Sequence, residues 1–268
     1  MLTVVKNNLR FLFTALKTSI LSAMEYKVSF ILQSLFMFIS NGFFLIFWSV
    51  TLNIANSTTN LGFTMDTILY IWSIPTIGFG VAYFFFGGAQ EINRHILNGS
   101  LDSFLLQPKS VLLNVLTSKC VFSACGDFIY GVVIGFVVSN GDMLEFTVIL
   151  LLGIFVSIFF IATEIITRSL CVWLGDTEQL SKRYINSLTL TFATYPEQIF
   201  SKSVKVLLYT VVPSAYICHI PIKIITNFNY MYVILIVIGA LVYLSVAIYI
   251  FYKAISKYES GNLVSMKM

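Results

Sequence analysis

An acidic side chain, Asp127, falls near the middle of the apolar run Val111–Val138. At that depth in a lipid bilayer a charged carboxylate costs roughly 2.5–3.5 kcal/mol, and no lysine or arginine lies within a helical turn of it in the sequence. The group must be protonated, face a wet cavity, or pair with another helix, for which Gln33 and Asn41 are candidates. Two interpretations stay open: a place in a translocation path or subunit contact, and a purely structural hydrogen bond.

A second pair of chemically active side chains is Glu164 and Arg168, spaced i, i+4 at the end of another apolar run. On a helix this spacing places the two side chains side by side. The spacing predicts a local structural ion pair near a membrane surface, or alternatively a brace for the end of a helix bundle.

The sequence contains no pattern for catalysis or for binding a metal or cofactor. His95 and His219 have no second ligand at a useful spacing, so we predict no metal site. The sequence has no G-x-x-x-x-G-K-[ST] motif, and Gly87 and Gly88 are not followed by a lysine, so no phosphate-binding loop is present. We expect a protein that is not itself an enzyme. The four cysteines lie in or beside apolar runs without CxxC spacing and are predicted to be small buried side chains.

The elements that must position these side chains are membrane helices. The chain has 268 residues, of which 58% are hydrophobic and 10% charged, whereas soluble domains contain about 25% charged residues. We predict an all-α integral membrane protein with a single domain over residues 1–268. The six predicted spans are Val28–Leu52, Thr67–Ala89, Val111–Val138, Phe146–Ile166, Val204–Ile220 and Met231–Tyr252.

The basic residues predict the orientation of these spans. With both termini in the cytoplasm, fifteen of the sixteen lysines and arginines, all but Lys223, lie on the cytoplasmic side. Residues 1–24 have the pattern of an amphipathic helix lying in the membrane interface. Two longer connections, residues 91–110 and 167–203, are predicted to be cytoplasmic. The positive charge then reflects topology and anionic lipid, and no domain for nucleic acid is present.

The stretch Asn93–Ser110 is too polar for lipid but carries a small apolar face. Its apolar residues are spaced i, i+4, i+7 and i+8, which predicts a short helix that Pro108 ends. Such a helix suits a groove on another protein; alternatively it covers the cytoplasmic end of its own bundle. The residues of this face are Leu97, Leu101, Phe104 and Leu105.

The fifth predicted span is short and contains Pro213, with Pro221 just beyond it, so we expect it to be kinked or only partly crossing. Interrupted helices often mark transport sites. Phe79 and Tyr83 share a face of the second span. They could line a path, although such residues more often contact lipid or neighbouring helices.

The stretch NGSLDSFLLQPKS resembles the pattern G-(T/S/R)-L-(D/E)-x-x-L-x-x-P of the permease subunits of type-2 ATP-binding-cassette (ABC) exporters. Gly99, Leu101, Asp102, Leu105 and Pro108 occupy this pattern. Two later stretches, FATYPEQIF and VVPSAYICHIP, are similar to segments around the fifth span in a bacterial branch of that family.

The resemblance implies that Asn93–Gln107 is a coupling helix that fits a cleft on a cytoplasmic ATPase, and that a re-entrant helix follows the fifth span. It also implies that ATP and Mg²⁺ are bound by the partner ATPase. A second permease, identical or homologous, would complete the translocation path in a bacterial inner membrane. Two other functions compete: a secondary transporter or channel that uses Asp127, and a membrane scaffold subunit that transports nothing.

Overall fold

The computed structural model describes residues 13–14, 16–18, 21–22, 27–56, 64–107 and 110–259, and these residues contain helices but no strands. The predicted interfacial helix at 1–24 lies largely outside the described residues, as does Pro108. The helices are α1 (Lys27–Asn56), α2 (Met65–Phe86), α3 (Ile92–Leu97), α4 (Asp102–Leu105), α5 (Val111–Leu116), α6 (Ser123–Val138), α7 (Met143–Ser169), α8 (Cys171–Leu174), α9 (Glu178–Arg183), α10 (Thr191–Ala193), α11 (Lys202–Thr210), α12 (Ile220–Thr226) and α13 (Tyr230–Ile255). Helix α2 continues into a 3₁₀ turn, Gly87–Glu91, and two π-helical segments, Tyr184–Leu190 and Ala215–His219, join α9 to α10 and precede α12.

Helix α2 is the centre of the bundle and packs against α6 on one side and α7 on the other. Small residues permit this close packing. Ile77 of α2 lies against Gly131 of α6 and Gly153 of α7, where an added Cβ would come within 2.8 Å and 2.4 Å of the Ile77 side chain. Helices in lipid associate largely through such close contacts, because burial of apolar surface gives no gain between helices there.

Side-chain contacts define the direction of the long helices. Tyr70 and Tyr83 of α2 contact Glu145 and Glu164 of α7, so these two helices run parallel. We call the end where α2 and α7 begin the distal end, and the end where they finish, at Phe86 and Ser169, the proximal end. Helices α1 and α6 also run parallel to one another, because Phe30 and Asn41 contact Phe122 and Asp127.

Four helices are long and apolar enough to cross a membrane, and the bent pair formed by 202–210 and 215–226 raises the number to five. The six predicted spans are therefore not all confirmed. The third, Val111–Val138, is wrong as a single helix, because residues 117–122 between α5 and α6 are not helical. There the Val121 amide donates to the Tyr83 carbonyl at 3.1 Å, so this segment folds over the end of α2. Helix α6 alone has 16 residues, or about 24 Å.

The fifth predicted span, Val204–Ile220, is bent rather than straight, which confirms the expectation of a kink there. It contains the turn between α11 and the second π-helical segment, where the axis bends by 88°. The proline at position 213 lies at this turn, as expected for a residue that has no N–H for a continuing helix. Glu197, before α11, forms ion pairs with Lys205 at 3.7 Å and with Lys223 of α12. The segment 202–226 therefore begins and ends at the distal end of the bundle, where Thr67 of α2 lines a cavity with Glu197 and Lys223. We call this segment the distal hairpin.

The connection predicted at 167–203 contains helix from Glu178 to Ala193, and this helix contacts α7 and the second π-helical segment. Near its start, Ser181 contacts Thr167 at 2.8 Å at the proximal end. Just beyond its end, the Tyr195 ring lies 5.9 Å from Trp48 of α1. Its many polar residues lower its hydropathy, which is why the sequence pattern indicates a connection. Ser181 and Thr189 are buried, whereas Gln179, Lys182 and Arg183 are exposed.

Candidate functional site

The loop at the proximal end, residues 87–107, consists of two short helices rather than the single helix predicted for Asn93–Gln107. Helix α3 ends at Leu97 and α4 begins at Asp102. Between them Gly99 has a φ of 72°, in the left-handed region that favours glycine. The Leu101 amide closes this turn by donating to the His95 carbonyl at 3.1 Å.

The turn at Gly99 separates the residues that were predicted to form one apolar face. Leu101 is completely buried in the proximal core with Ile165 and Phe251, and Leu97 and Phe104 pack partly against that core. By contrast, Leu105 is 38% exposed and Leu106, which the sequence analysis did not select, is 87% exposed. Two adjacent leucines in the stretch FLLQ were the feature of the sequence that could have indicated Leu106. The exposed apolar surface of the loop is therefore this Leu105–Leu106 pair, and Leu101 holds the loop to its own bundle.

Polar contacts fix the loop to neighbouring elements. The Asp176 carboxylate accepts from the Glu178 amide at 2.9 Å and from the Asn93 side chain at 2.8 Å, and these bonds lower the pKa of Asp176. Asp102 of the loop lies near Tyr258, which follows α13. Burial together with this nearby carboxylate raises the pKa of Tyr258 to about 12. The loop thus contacts both the segment before α9 and the segment after α13.

A cavity of about 180 Å³ lies between α1, α2, α6 and α10, midway along α1. Asp127 lines it and is 5% exposed. One carboxylate oxygen, Oδ1, accepts a hydrogen bond of 2.7 Å from Asn41 Nδ2. The wall is mostly apolar and includes Phe79, whereas Tyr83 does not line it. Pro75, inside α2, is a further lining residue that the sequence analysis did not select; a proline within an apolar span was the available signal.

A family model described as ABC-2 family transporter protein matches residues 37–261. The chain belongs to this family. No curated protein and no solved structure matches the chain significantly. The matched range includes the proximal loop, the cavity and the distal hairpin. The protein is therefore a multi-pass membrane permease of the ABC transporter class, whose family members are membrane components without an ATPase domain of their own.

In this ABC-2 permease Glu164 and Arg168 form a buried ion pair, with 2.5 Å between Arg168 Nε and Glu164 Oε2. The carboxylate also accepts from the Tyr83 hydroxyl at 3.0 Å and from the Ser181 hydroxyl at 3.0 Å. These contacts join α2, α7 and α9 at the proximal end, next to the loop. The ion pair itself is local to α7, and the additional hydrogen bonds of Glu164 connect α7 to α2 and α9.

At the distal end of the permease, the two prolines selected from the sequence occupy the distal hairpin. Pro213 is buried at its turn, and Pro221 lies in the first turn of α12. A second cavity, of about 240 Å³, is lined there by Glu197, His219 and Lys223 among others. Burial alone would raise the pKa of the Glu197 carboxyl group. Its ion pair with the Lys223 ammonium has the larger combined effect, so the pKa of Glu197 is lowered.

The permease residues that the structure describes bring no three His, Cys, Asp or Glu side chains together in a way that could hold a metal ion.

Proposed function

We propose that this permease is the membrane subunit of an ATP-driven exporter and that separate cytoplasmic ATPase subunits power it. The observation that carries the proposal is the proximal loop. Its exposed leucines, Leu105 and Leu106, stand on a turn that Leu101 holds against α7 and α13. An exposed apolar pair on a braced loop suits insertion into a cleft of a partner protein. The ABC-2 family implies association with ABC ATPases.

The contacts of the loop give it the means to transmit motion. It is linked to α9 through Asn93 and Asp176, and it packs on the last turns of α7 and α13. Both α7 and α13 extend without a break toward the distal end. Closure of an ATPase dimer around ATP and Mg²⁺ would displace the loop, and these helices would carry the displacement across the membrane. The permease itself contributes no phosphate-binding loop.

The translocation path of the proposed exporter lies between two permeases, identical or homologous. The cavity beside Asp127 holds only about 180 Å³, which is small for a continuous path through one bundle. Helix α1 leaves a broad apolar surface uncovered in this single chain, with Phe36 and Phe43 about two-thirds exposed. A second permease and membrane lipid are the partners that would cover such a surface.

The proposed topology has six crossings, with both termini in the cytoplasm of a bacterial cell and the protein in its inner membrane. The crossings are α1, α2, α6, α7, the helix Glu178–Ala193 and α13, and the distal hairpin is a re-entrant segment from outside. This assignment moves Lys202 and Lys205 to the outer side with Lys223. Thirteen of the sixteen basic residues remain on the cytoplasmic side, which still follows the positive-inside rule.

This topology predicts different accessibility for two exposed serines, Ser201 before the distal hairpin and Ser103 in the proximal loop. In intact cells, a membrane-impermeant maleimide should label Ser201→Cys but not Ser103→Cys, and permeabilisation should make both reactive. The parent chain for the test lacks the four native cysteines. If Ser201→Cys reacts only after permeabilisation, residues 167–203 are a cytoplasmic connection and the hairpin assignment is wrong.

The docking role predicts that Leu105→Asp with Leu106→Asp abolishes co-purification of the ATPase while the permease still inserts and runs as a single species. The reason is that two charges would enter an apolar cleft without partners. Met143→Asp with Leu144→Asp is the matched control, because this pair is 64% and 76% exposed at the distal end. Retained ATPase in the loop variant would contradict docking through these leucines.

One Asp127 oxygen has no hydrogen-bond partner among the described residues, and this gives specific support to a second candidate, a secondary transporter that carries a proton or cation without an ATPase. Wild-type permease that purifies from its native membrane without any ATPase, yet transports in proteoliposomes under an ion gradient, would favour this function over the exporter.

A further inference from the structure

Only one of the two carboxylate oxygens of Asp127 has a hydrogen-bond partner among the described residues. Asn41 donates to Oδ1, but Oδ2 is buried and has no hydrogen-bond partner among the described residues. An unpaired polar atom in such a site costs about 1–3 kcal/mol, and more for a charged group. Because Asp127 lines the cavity, a partner bound in the cavity would lie beside its carboxyl group.

No basic side chain of the described ranges supplies that partner. Every ion pair found there involves another acidic residue, so none brings a lysine, arginine or histidine within 4.0 Å of Asp127. A buried carboxylate is retained as an ion only if a cation neutralises it. In its ionised form Asp127 therefore presents a negative charge to the cavity that no described basic residue neutralises.

The walls of the cavity select the kind of cation. Trp72 and Phe79 supply aromatic surface, and the remaining lining is largely aliphatic. Besides Asp127, the polar lining side chains are Asn41, Thr76 and Thr194, and the Asn41 amide already donates to Asp127. Such a site is poor for a metal ion, which needs six or more oxygen ligands in the case of Ca²⁺. It suits an organic cation, which aromatic rings attract through their negative faces.

We propose that this cavity binds the cationic headgroup of an amphiphile, as the substrate-recognition site of the exporter proposed above, on which the inference rests. Asp127 neutralises the headgroup and Asn41 orients the Asp127 carboxylate. Trp72 and Phe79 contact the apolar groups of the headgroup. The apolar tail would leave the cavity between the helices toward lipid or a second permease.

The test compares benzyltrimethylammonium with neopentylbenzene, its uncharged isostere, by equilibrium dialysis against the full permease complex in nanodiscs, with empty nanodiscs subtracted. We expect saturable binding of the cation only. Asp127→Asn should weaken this binding by about thirtyfold or more, which corresponds to about 2 kcal/mol, the lower end of the loss when one partner of a buried charge pair is removed. Glu145→Gln, a carboxylate change outside the cavity, should leave the affinity unchanged.

A second variant tests the cavity without changing Asp127, so that a folding defect of Asp127→Asn does not decide the result. Thr194→Phe fills the cavity from the position just after α10 and leaves the carboxylate in place, so it should also abolish binding. Equal affinity of the cation for wild type and Asp127→Asn, or equal binding of both isosteres, would overturn the inference. Co-purification of the ATPase is scored on the same preparations, so failure of the cation site and failure of the exporter proposal are distinguishable.

Discussion

Replacement of Arg168 by methionine is expected to lower the free energy of unfolding of the permease by about 3–5 kcal/mol. The Glu164 side chain is 3% exposed, and its carboxylate would lose its only cationic partner in the described part of the chain. Tyr83 and Ser181 would still donate to it, but neutral hydroxyls do not compensate a buried charge. Unfolding in mixed micelles, followed by loss of helical circular dichroism, measures the change.

Two further variants separate this mechanism from a general sensitivity of the region. In the double variant Glu164→Gln with Arg168→Met, the charge is gone and the amide oxygen still accepts from Tyr83, so most of the lost stability should return. Lys182→Met removes an ion pair with Glu178 whose two side chains are about half exposed, and it should change stability by no more than about 1 kcal/mol. A double variant as unstable as Arg168→Met would show that the buried charge is not the cause.

Gly88→Ala is expected to destabilise the proximal end by about 3 kcal/mol and to displace the loop from the bundle. A Cβ at Gly88 would lie 1.8 Å from the Val115 carbonyl oxygen and 2.8 Å from that of Leu116. These are backbone atoms, which cannot move aside as a side chain can. The 3₁₀ turn at 87–91 would therefore separate from the end of α5, and nucleotide hydrolysis by the complex should lose its stimulation by substrate.

The control for this prediction is Gly42→Ala in α1, where an added Cβ meets nothing within 4 Å. Because alanine is the better helix former, this change should be neutral or stabilise by up to about 1 kcal/mol. Unfolding in mixed micelles and ATPase assays on the assembled complex provide the two measurements. If Gly88→Ala is as stable and as active as Gly42→Ala, the loop is not held by this backbone contact.

Local spacing in the sequence was sufficient for the ion pair within one helix, but it left two candidates for the contact between helices. Glu164 and Arg168 pair because i, i+4 neighbours on a helix must lie together. Asn41 was one of two candidate partners for Asp127, and it is the one that donates to the carboxylate. Gln33, the other candidate, bonds to Ser29 within α1 instead. Sequence spacing could not choose between them, because the choice depends on how α1 and α6 align.

Hydropathy was insufficient where a helix is rich in polar residues or where an apolar segment bends. The helix Glu178–Ala193 carries exposed polar side chains such as Lys182 beside buried ones such as Ser181, so it has the composition of a connection. The distal hairpin is apolar yet returns to its starting end. In the loop, four apolar residues matched a single helical face, but the positive φ of Gly99 interrupts that helix and buries Leu101. Each of these outcomes depends on tertiary contacts that composition does not contain.

The central claim is that a separate ATPase drives this permease through its proximal loop. The most direct measurement is affinity purification of the tagged wild-type chain from native membranes in mild detergent, beside the Leu105→Asp, Leu106→Asp variant, with mass spectrometry of all co-eluting chains. We predict an ATPase with a phosphate-binding loop in the wild-type preparation and its loss in the variant. A stable wild-type preparation without an ATPase, or an ATPase retained equally by both, would contradict the account.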